Sequence, residues 1–545
     1  MVTRFSTPFK SNISSTWDII CVGAGLTSLA FAAQLTMRHP GLRVLVIEKH
    51  SVPGGYASAF RRPKQSAVFD CSLHKLSGMA GAGNLRRIFD ELGLMDELEL
   101  VYPNHYFQAS LPDKNVLLPN DAVWLKRTLC ELYPDDRQGI EQLFADVELH
   151  GKNSYFQFQI MNGTYNEPIG ALIRDIRFAH KNYKNITMKD AFHKMFKSWE
   201  VGEIISMPGC YVGGHPEDLS YLYYLHVIYA TLYCGNAYVR GTSQRLSDAL
   251  VARIERGGGK VLLDTPVDRI EVDCDMRVAG VTASKEFYAA RQVFVNAAPK
   301  YVVEELLVET LPLQTVKEKL RQLQSSWSTT TLYLVADTAP AECGLDCTET
   351  FLIDLPNDEA DRLREEAKRT ADPLLCELAY WKHSPVEVTN YHALEPNNGH
   401  VLIFNLLDSV EHWPQRRTLE YKKKKRRFTE MMLERLYQRF PGFRGHVQYT
   451  EVSSPRTYIR YTNNSDGAGF GAFVGTSRNP HIFHHNFPVR GLYFMSTWVA
   501  GASYEAAFGY AEHKALSWAP ESRLCARTGA FAPGDQTEHM ELETR

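Results

Sequence analysis

The chain has 545 residues, of which 23% are charged and 44% are hydrophobic, and a chain of this length and composition can form two or three folded domains. Its net charge of −3 lacks the basic excess of nucleic-acid-binding proteins, so no nucleic-acid partner is predicted. The ten cysteines are scattered, and the one close pair, Cys343 and Cys347, has no second ligand pair nearby, so no metal site is predicted.

The N-terminal residues and the hydropathy of the chain predict the cellular location of the protein. Residues 1–16 lack the apolar core of a signal peptide and are predicted to be flexible. No apolar run reaches the roughly 18 residues that a membrane-spanning helix needs. We therefore predict a cytoplasmic protein.

The stretch from Trp17 to Lys49 predicts a nucleotide-binding unit of strand, helix and strand. Apolar runs at 19–22 and 44–47 predict buried strands, and the small-residue segment 29–35 predicts the helix between them.

Four residues of this stretch have the types that a dinucleotide site requires. Gly23 makes the tight turn, Gly25 lets the backbone approach a pyrophosphate at the helix N-terminus, and Ser28 replaces the third glycine with another small residue. Glu48 follows the second strand, where an acceptor for ribose hydroxyls is expected; the alternative is a solvated acid at a strand end. We predict that a dinucleotide binds here.

A glycine pair and a histidine motif follow Glu48. The loop Pro53-Gly54-Gly55 predicts a backbone that approaches a ligand, and Phe69-Asp70 ends a predicted short strand before His74. These motifs resemble those of the FAD-dependent amine oxidase and phytoene desaturase superfamily, in which a Phe-Asp-x-Gly-x-His stretch passes beside the flavin. The segment 71–74, Cys-Ser-Leu-His, lacks the glycine of that motif. The resemblance implies one non-covalently bound FAD, with His74 either near the flavin's reactive edge or holding the loop.

The region from 101 to 235 is rich in aromatic residues and poor in glycine, and it predicts a substrate or cap domain. Residues 132–149 predict an amphipathic helix. The apolar segment 221–234 is too short to span a membrane. It predicts either a buried helix or a helix that lines an apolar substrate cavity.

The chain then returns to the nucleotide domain. A turn is predicted at Gly241, followed by a helix to Arg256 and a strand at 261–263. The resemblance implies that the backbone of Val267 contacts the adenine and that 292–299 contains the family's return strand.

A second part of the substrate domain is predicted at 301–450. Strands are predicted at 328–335 and 401–406, and a helix at 430–439. The basic run 422–427 precedes that helix. It is either a solvated helix face or a patch that brings the protein to an anionic membrane surface.

The segment 453–475 carries a long pattern of the form Pro-x-Thr, Arg-Tyr-Thr-x-Asn, Gly-Ala and Gly. The residues of this pattern are Pro455, Thr457, Arg460, Tyr461, Thr462, Asn464, Gly467, Ala468 and Gly471. The pattern resembles the carotenoid isomerase and retinol saturase branch of the family, where it precedes the closing strand.

The closing stretch, 491–516, predicts a strand at 492–495, a Gly-Ala-Ser turn at 501–503 and a helix. The resemblance implies that the N-terminus of this helix faces the flavin's ribityl and pyrimidine portion. Ser496 and Thr497 stand where the family has an acid.

The resemblance and the glycine turn together give a set of predicted site residues. The predicted FAD-binding residues are Gly23, Gly25, Ser28, Glu48, Lys49, Gly54, Gly55, Tyr56, His74, Val267, Gly501, Ala502, Ser503 and Tyr504. The predicted catalytic residues, chosen by position, are His74, Tyr504 and Glu505. Glu505 is either a proton acceptor in the cavity or an acid that stabilises the helix dipole.

The predicted fold is α/β, with a split Rossmann-type FAD-binding domain and an inserted mixed α+β substrate domain. The predicted segments are a flexible N-terminus (1–16), the FAD-binding domain (17–100, 236–300 and 451–520), the substrate domain (101–235 and 301–450) and a disordered tail (521–545).

The predicted function is that of an FAD-dependent oxidoreductase acting on C=C bonds of a hydrophobic polyene, isoprenoid or acyl chain. Desaturation is preferred over isomerisation and saturation. A flavin amine oxidase and a non-enzymatic prenyl-binding protein of the GDP-dissociation-inhibitor type are the alternatives. A second nucleotide site is not predicted, since only one glycine turn is followed by an acid.

Overall fold

The computed structural model describes residues 13–518, except 73, 82, 164, 166–168, 184, 371, 465 and 474–486. The predicted tail at 521–545 lies outside the described residues, as do residues 1–12 of the predicted flexible N-terminus. Residues Ile13–Thr16 of that N-terminus form a strand, because they pair in parallel with Glu286–Ala289.

A five-stranded parallel sheet forms the centre of the nucleotide domain. Its strands, in spatial order, are Lys260–Leu262, Val44–Ile47, Ile19–Val22, Val293–Val295 and Leu492–Phe494. Every neighbouring pair is parallel. Strands from distant parts of the chain share this sheet, which confirms the predicted split Rossmann-type architecture.

Three helices pack around this sheet: Leu26–Arg38, Thr242–Arg256 and Tyr504–Ser517. The first contacts the other two. Small residues such as Ala30 and Ala33 are fully buried in it, which allows its neighbours to approach closely.

Three smaller sheets flank the nucleotide domain. The four-stranded sheet has the order Ile13–Thr16, Glu286–Ala289, Val278–Ala283 and Val267–Val272. The three-stranded sheet has the order Leu76–Ser77, Asn236–Val239 and Leu100–Val101. The third pairs Ala59–Arg62 with Ala67–Asp70.

A seven-stranded sheet forms the centre of the second domain. Its strands, in spatial order, are Val447–Ser453, Ser328–Ala336, His400–Asp408, Val386–Asn390, Glu349–Leu352, His105–Ser110 and Asn115–Pro119. All neighbours are antiparallel except the parallel pair of Glu349–Leu352 and His105–Ser110. The mixed α+β character of the inserted domain is thereby confirmed. The predicted domain boundaries stay predictions, and the one at 450 falls inside a strand.

The other helices of eight or more residues are distributed over both domains. They are Asn84–Leu92, Ala122–Leu132, Arg137–Asp146, Ile169–Tyr183, Met188–Met195, Trp199–Ser206, Tyr221–Ile228, Gln314–Gln322, Asn357–Arg369, Pro373–His383, Leu419–Arg439 and Pro455–Thr462. Among the described residues, no helix combines the length and the apolar character needed to cross a bilayer.

Two predicted helices were wrong in their extent. Residues 132–149 do not form one helix: Ala122–Leu132 ends before Pro134, whose ring and missing N–H block continuation, and Arg137–Asp146 follows. The helix predicted at 430–439 begins at Leu419, because Thr418 caps it, so the basic run lies inside it.

Candidate functional site

A cavity of about 790 Å³ is lined by residues of both domains. The predicted cofactor residues that line it are Gly23, Gly25, Glu48, Lys49, Gly54, Gly55, Tyr56, Val267, Ala502, Ser503 and Tyr504. Ser28, His74 and Gly501 do not line it. Ser28 is fully buried in its helix, where its small size fits the predicted packing role.

The turn after the strand Ile19–Val22 brings two backbone segments together. Gly23 has a φ of +90°, and a Cβ there would lie 2.8 Å from the carbonyl oxygen of Asn296. No side chain caps the helix Leu26–Arg38 that follows. Its first N–H groups are therefore available to a pyrophosphate, as predicted from the motif.

The glycine pair after Glu48 packs on this turn. The Gly54 N–H donates to the Ala24 carbonyl at 2.7 Å. A Cβ on Gly55 would lie 3.3 Å from the Cα of Gly25. The two glycine loops thus form one backbone surface at the edge of the cavity.

Glu48 is held at the end of the strand Val44–Ile47 by two backbone donors. Its Oε2 accepts from the Ala24 N–H at 2.7 Å and its Oε1 from the His50 N–H at 3.0 Å. The residue is 6% exposed, which does not fit a solvated strand-end acid. Each carboxylate oxygen keeps lone-pair capacity for a ribose hydroxyl.

The segment 453–475, whose pattern resembles one branch of the family, contacts the loop after Glu48; its residues 465, 474 and 475 lie outside the described part. Lys49 Nζ donates to Asn463 Oδ1 at 2.8 Å, and the Tyr56 hydroxyl donates to the Ala468 carbonyl at 2.8 Å. Burial lowers the pKa of Lys49. The segment therefore covers the nucleotide loop, which explains why a motif so distant in sequence belongs to this site.

The closing turn also reaches the cavity. Ser503 caps the final helix by accepting from the Ala506 N–H at 3.0 Å. The Tyr504 hydroxyl donates to Ser72 Oγ at 2.7 Å. This bond ties the closing helix to the Phe69–His74 motif.

His74 lies in a buried hydrogen-bond chain rather than on the cavity wall. The Tyr391 hydroxyl donates to Asp70 at 2.8 Å, so its oxygen accepts from His74 Nδ1 at 3.0 Å. His74 Nε2 is then left to accept from Asn405 Nδ2 at 3.4 Å. Burial lowers the pKa of His74, which favours a neutral ring. The geometry favours the loop-holding interpretation.

Glu505 is placed away from the cavity lining. It accepts a hydrogen bond from Ser77 Oγ at 2.8 Å and another from the Tyr155 hydroxyl. Burial raises its pKa to about 7. The residue therefore joins the closing helix to the three-stranded sheet.

Apolar side chains, most of them from the second domain, form the opposite wall of the cavity. Side chains on this side of the cavity include Phe60, Met207, Tyr211, Tyr333, Phe351, Leu407 and Phe470. Large aromatic and aliphatic surfaces of this kind suit a hydrophobic ligand.

The predicted aromatic helix at 221–234 does not line this cavity. Tyr221 and Tyr224 are fully buried in the helical part of the second domain. The helix is apolar around its circumference, so its aromatic side chains pack into that core. The buried-helix interpretation is correct, and the cavity-lining interpretation is wrong for the 790 Å³ cavity.

The polar residues of the cavity wall that were not predicted from the sequence include Asn296, Glu387 and Asn405. Asn296 follows the return strand, so its position after a parallel strand was a usable signal. Glu387 and Asn405 lie within antiparallel strands and are cross-strand partners. Nothing in their local sequence distinguishes them from other strand residues.

Comparison with known proteins supports the Rossmann-type fold. The family described as an NAD(P)-binding Rossmann-like domain matches residues 21–92. The solved structure of cyclohexylamine oxidase from Brevibacterium oxydans is 16% identical, with a TM-score of 0.58, and the match covers 93% of this chain and 99% of that one. This likeness shows the fold.

Curated relatives match most of the chain. The all-trans-retinol 13,14-reductase of Danio rerio is 22% identical over 497 residues, covering 86% of this chain and 79% of the relative. A chloroplastic prolycopene isomerase 2 of an Oncidium hybrid is 24% identical, covering 83% and 74%. A lycopene-forming phytoene desaturase of a Paracoccus species is 24% identical, covering 83% and 86%. The predicted resemblance to desaturases, isomerases and saturases is confirmed.

Proposed function

We propose that this protein is an FAD-dependent oxidoreductase that acts on the C=C bonds of a hydrophobic polyene, isoprenoid or acyl chain. The observation that supports it is a single cavity with the glycine turn and Glu48 on one side and the aromatic face of the seven-stranded sheet on the other. The names of the three relatives point to the same chemistry. Desaturation, isomerisation and saturation are the three reactions that such a site supports.

The residues of the chain fit a dinucleotide in three respects. The open N-terminus of Leu26–Arg38 would hold the pyrophosphate, Glu48 the ribose hydroxyls, and the turn before Tyr504 the flavin end. The flavin, when bound, supplies hydride and electron transfer. Tyr211 and Phe351 would orient an apolar chain and exclude water from it.

The first test is the absorption spectrum of the purified protein, followed by denaturation to release the chromophore. We expect a yellow protein that releases FAD and changes the double bonds of all-trans-retinol, prolycopene or phytoene under anaerobic conditions. Oxidation of amines with release of hydrogen peroxide would instead support an amine oxidase. A colourless protein that takes up no FAD would leave the prenyl-binding alternative.

We further propose that the protein is cytoplasmic and contacts an anionic membrane surface through one face of the helix Leu419–Arg439. Leu419, Lys422, Lys423 and Arg426 are exposed and share that face, since they are three, four and seven residues apart. Lys424 belongs to the interior instead, where it pairs with Glu377 at 2.6 Å. The basic run is therefore only partly a surface patch.

Reversing three charges of this face should weaken binding to phosphatidylserine vesicles. Each lysine or arginine near such a surface contributes about 1 kcal/mol, so changing Lys422, Lys423 and Arg426 to glutamate should reduce vesicle affinity about 100-fold or more. Vesicle sedimentation measures this affinity. The matched control makes the same changes at Lys317, Lys319 and Arg321, and equal losses in both variants would contradict the proposed face.

A further inference from the structure

Glu387 is an acid of the cavity wall on the side opposite the glycine turn. Glu387 lies on the strand Val386–Asn390, and its cross-strand partners are Phe351 on one side and Asn405 on the other. All three side chains line the 790 Å³ cavity. The acid is therefore placed on the aromatic face where an apolar chain would bind.

The hydrogen bonds of Asn405 fix the orientation of this carboxyl group. Thr331 Oγ1 donates to Asn405 Oδ1 at 2.9 Å, which turns the amide Nδ2 towards His74 Nε2 and Glu387 Oε2, each at 3.4 Å. Glu387 Oε1 has no hydrogen-bond partner within the part of the chain that the structure describes. When Glu387 is protonated, Oε2 accepts from Asn405, so its proton resides on Oε1.

The surroundings of Glu387 keep it protonated at neutral pH. Burial, with a smaller contribution from the Glu349 carboxylate, raises its pKa to about 8. The titratable groups that face it from neighbouring elements are Glu349, Lys75, His74, Cys210, Tyr211 and Tyr238. Lys75 is paired with Glu349, and its charge lowers the pKa of Glu387 by less than burial raises it.

We propose that Glu387 is the catalytic residue that gives a proton to one carbon of the bound polyene and takes a proton back from it. The assignment rests on the function proposed above. Of the three reactions named there, it implies isomerisation of a double bond. The π pair of a C=C bond forms the new C–H bond with the Glu387 proton, leaving a carboxylate and a cation delocalised along the chain. After rotation about the former double bond, the carboxylate removes a proton from that carbon, and the C–H pair restores the double bond.

This cycle is balanced in atoms and electrons and consumes no co-reactant. The cation would lie beside the rings of Tyr211 and Phe351, whose centroids are 6.2 Å apart. Aromatic faces stabilise a nearby cation in a site without water. The carboxylate formed on Glu387 stabilises the same charge.

Deuterium transfer from the solvent tests the assignment. Prolycopene and all-trans-retinol are incubated with the holoprotein in D2O, and carbon-bound deuterium in the recovered polyene is counted by mass spectrometry. We expect deuterium uptake with the wild type, slowed about 100-fold or more by Glu387→Gln. Glu387→Asp keeps the acid and should retain part of the rate. The wild-type rate should fall as the pH rises through about 8, because the acidic form is then lost.

The controls separate this inference from the proposed function. Glu430→Gln makes the same change at an exposed position of the helix Leu419–Arg439 and should leave uptake unchanged. Infrared spectra should show a protonated carboxyl band at pH 7 that is lost in Glu387→Gln, whatever the activity. Double-bond conversion without deuterium uptake, or equal uptake in Glu387→Gln, would overturn the assignment while the proposed function stands. A flavin-containing wild type that leaves both polyenes unchanged would overturn the assignment, and a protein that takes up no FAD would overturn the proposed function as well.

Discussion

Replacing Gly23 with alanine should leave the purified protein without bound flavin. Gly23 has a φ of +90°, and the new Cβ would lie 2.8 Å from the Asn296 carbonyl oxygen. A left-handed backbone costs a residue with a side chain about 1–2 kcal/mol. Displacement of Asn296 would open the turn from which the backbone approaches the pyrophosphate. We expect the affinity for FAD to fall about 100-fold or more, measured by titrating the apoprotein with FAD.

Gly41→Ala is the matched control for this substitution. Gly41 also has a positive φ, +88°, but nothing lies within 4 Å of a Cβ at that position. The control therefore reproduces the backbone strain without the contact. FAD affinity that is unchanged in Gly23→Ala, or lost equally in Gly41→Ala, would contradict a binding role for the turn.

Replacing Lys75 with methionine should lower the free energy of unfolding by about 3–5 kcal/mol. Lys75 forms an ion pair with Glu349, and their side chains are 5% and 1% exposed. The Glu349 carboxylate also accepts hydrogen bonds from Tyr211 and Tyr238. Without the lysine, a buried negative charge is left without its cation. Chemical denaturation of the FAD-bound protein, followed by circular dichroism, measures the loss.

The double variant Lys75→Met with Glu349→Gln separates the lost charge pair from lost packing. Because the second change removes the uncompensated charge, we expect it to restore much of the stability. If the double variant is less stable than Lys75→Met, uncompensated charge is not the cause of the destabilisation. A single variant that loses less than about 1 kcal/mol would show that water reaches the pair.

The nucleotide half of the site was readable from the sequence because its signals are local. Gly23, Gly25 and Glu48 lie within one strand-helix-strand unit, in which the order of elements fixes their relative positions. The resemblance added Gly54, Gly55 and the closing turn. The structure places all of these except Gly501 around the same cavity.

Helix boundaries were predicted less well, again for local physical reasons. Pro134 is visible in the sequence, but the prediction of one helix at 132–149 followed the hydrophobic periodicity instead. Thr418 is a visible N-cap residue, but the charged run 422–427 led to a predicted helix start after it. The local sequence does not show whether the side chains of 221–234 line the cavity or pack in the core, because an apolar helix is stable in either environment.

By itself the sequence determined the split Rossmann architecture, the dinucleotide turn and the relationship to enzymes that act on polyenes. Only the tertiary structure decided that His74 belongs to a buried chain with Tyr391, that Glu505 lies away from the cavity, and that Glu387 and Asn405 lie on its wall. The physical reason is the range of the interactions involved. Backbone turns are specified by neighbouring residues, whereas the partners and burial of a strand carboxylate depend on residues brought together by the pairing of distant strands.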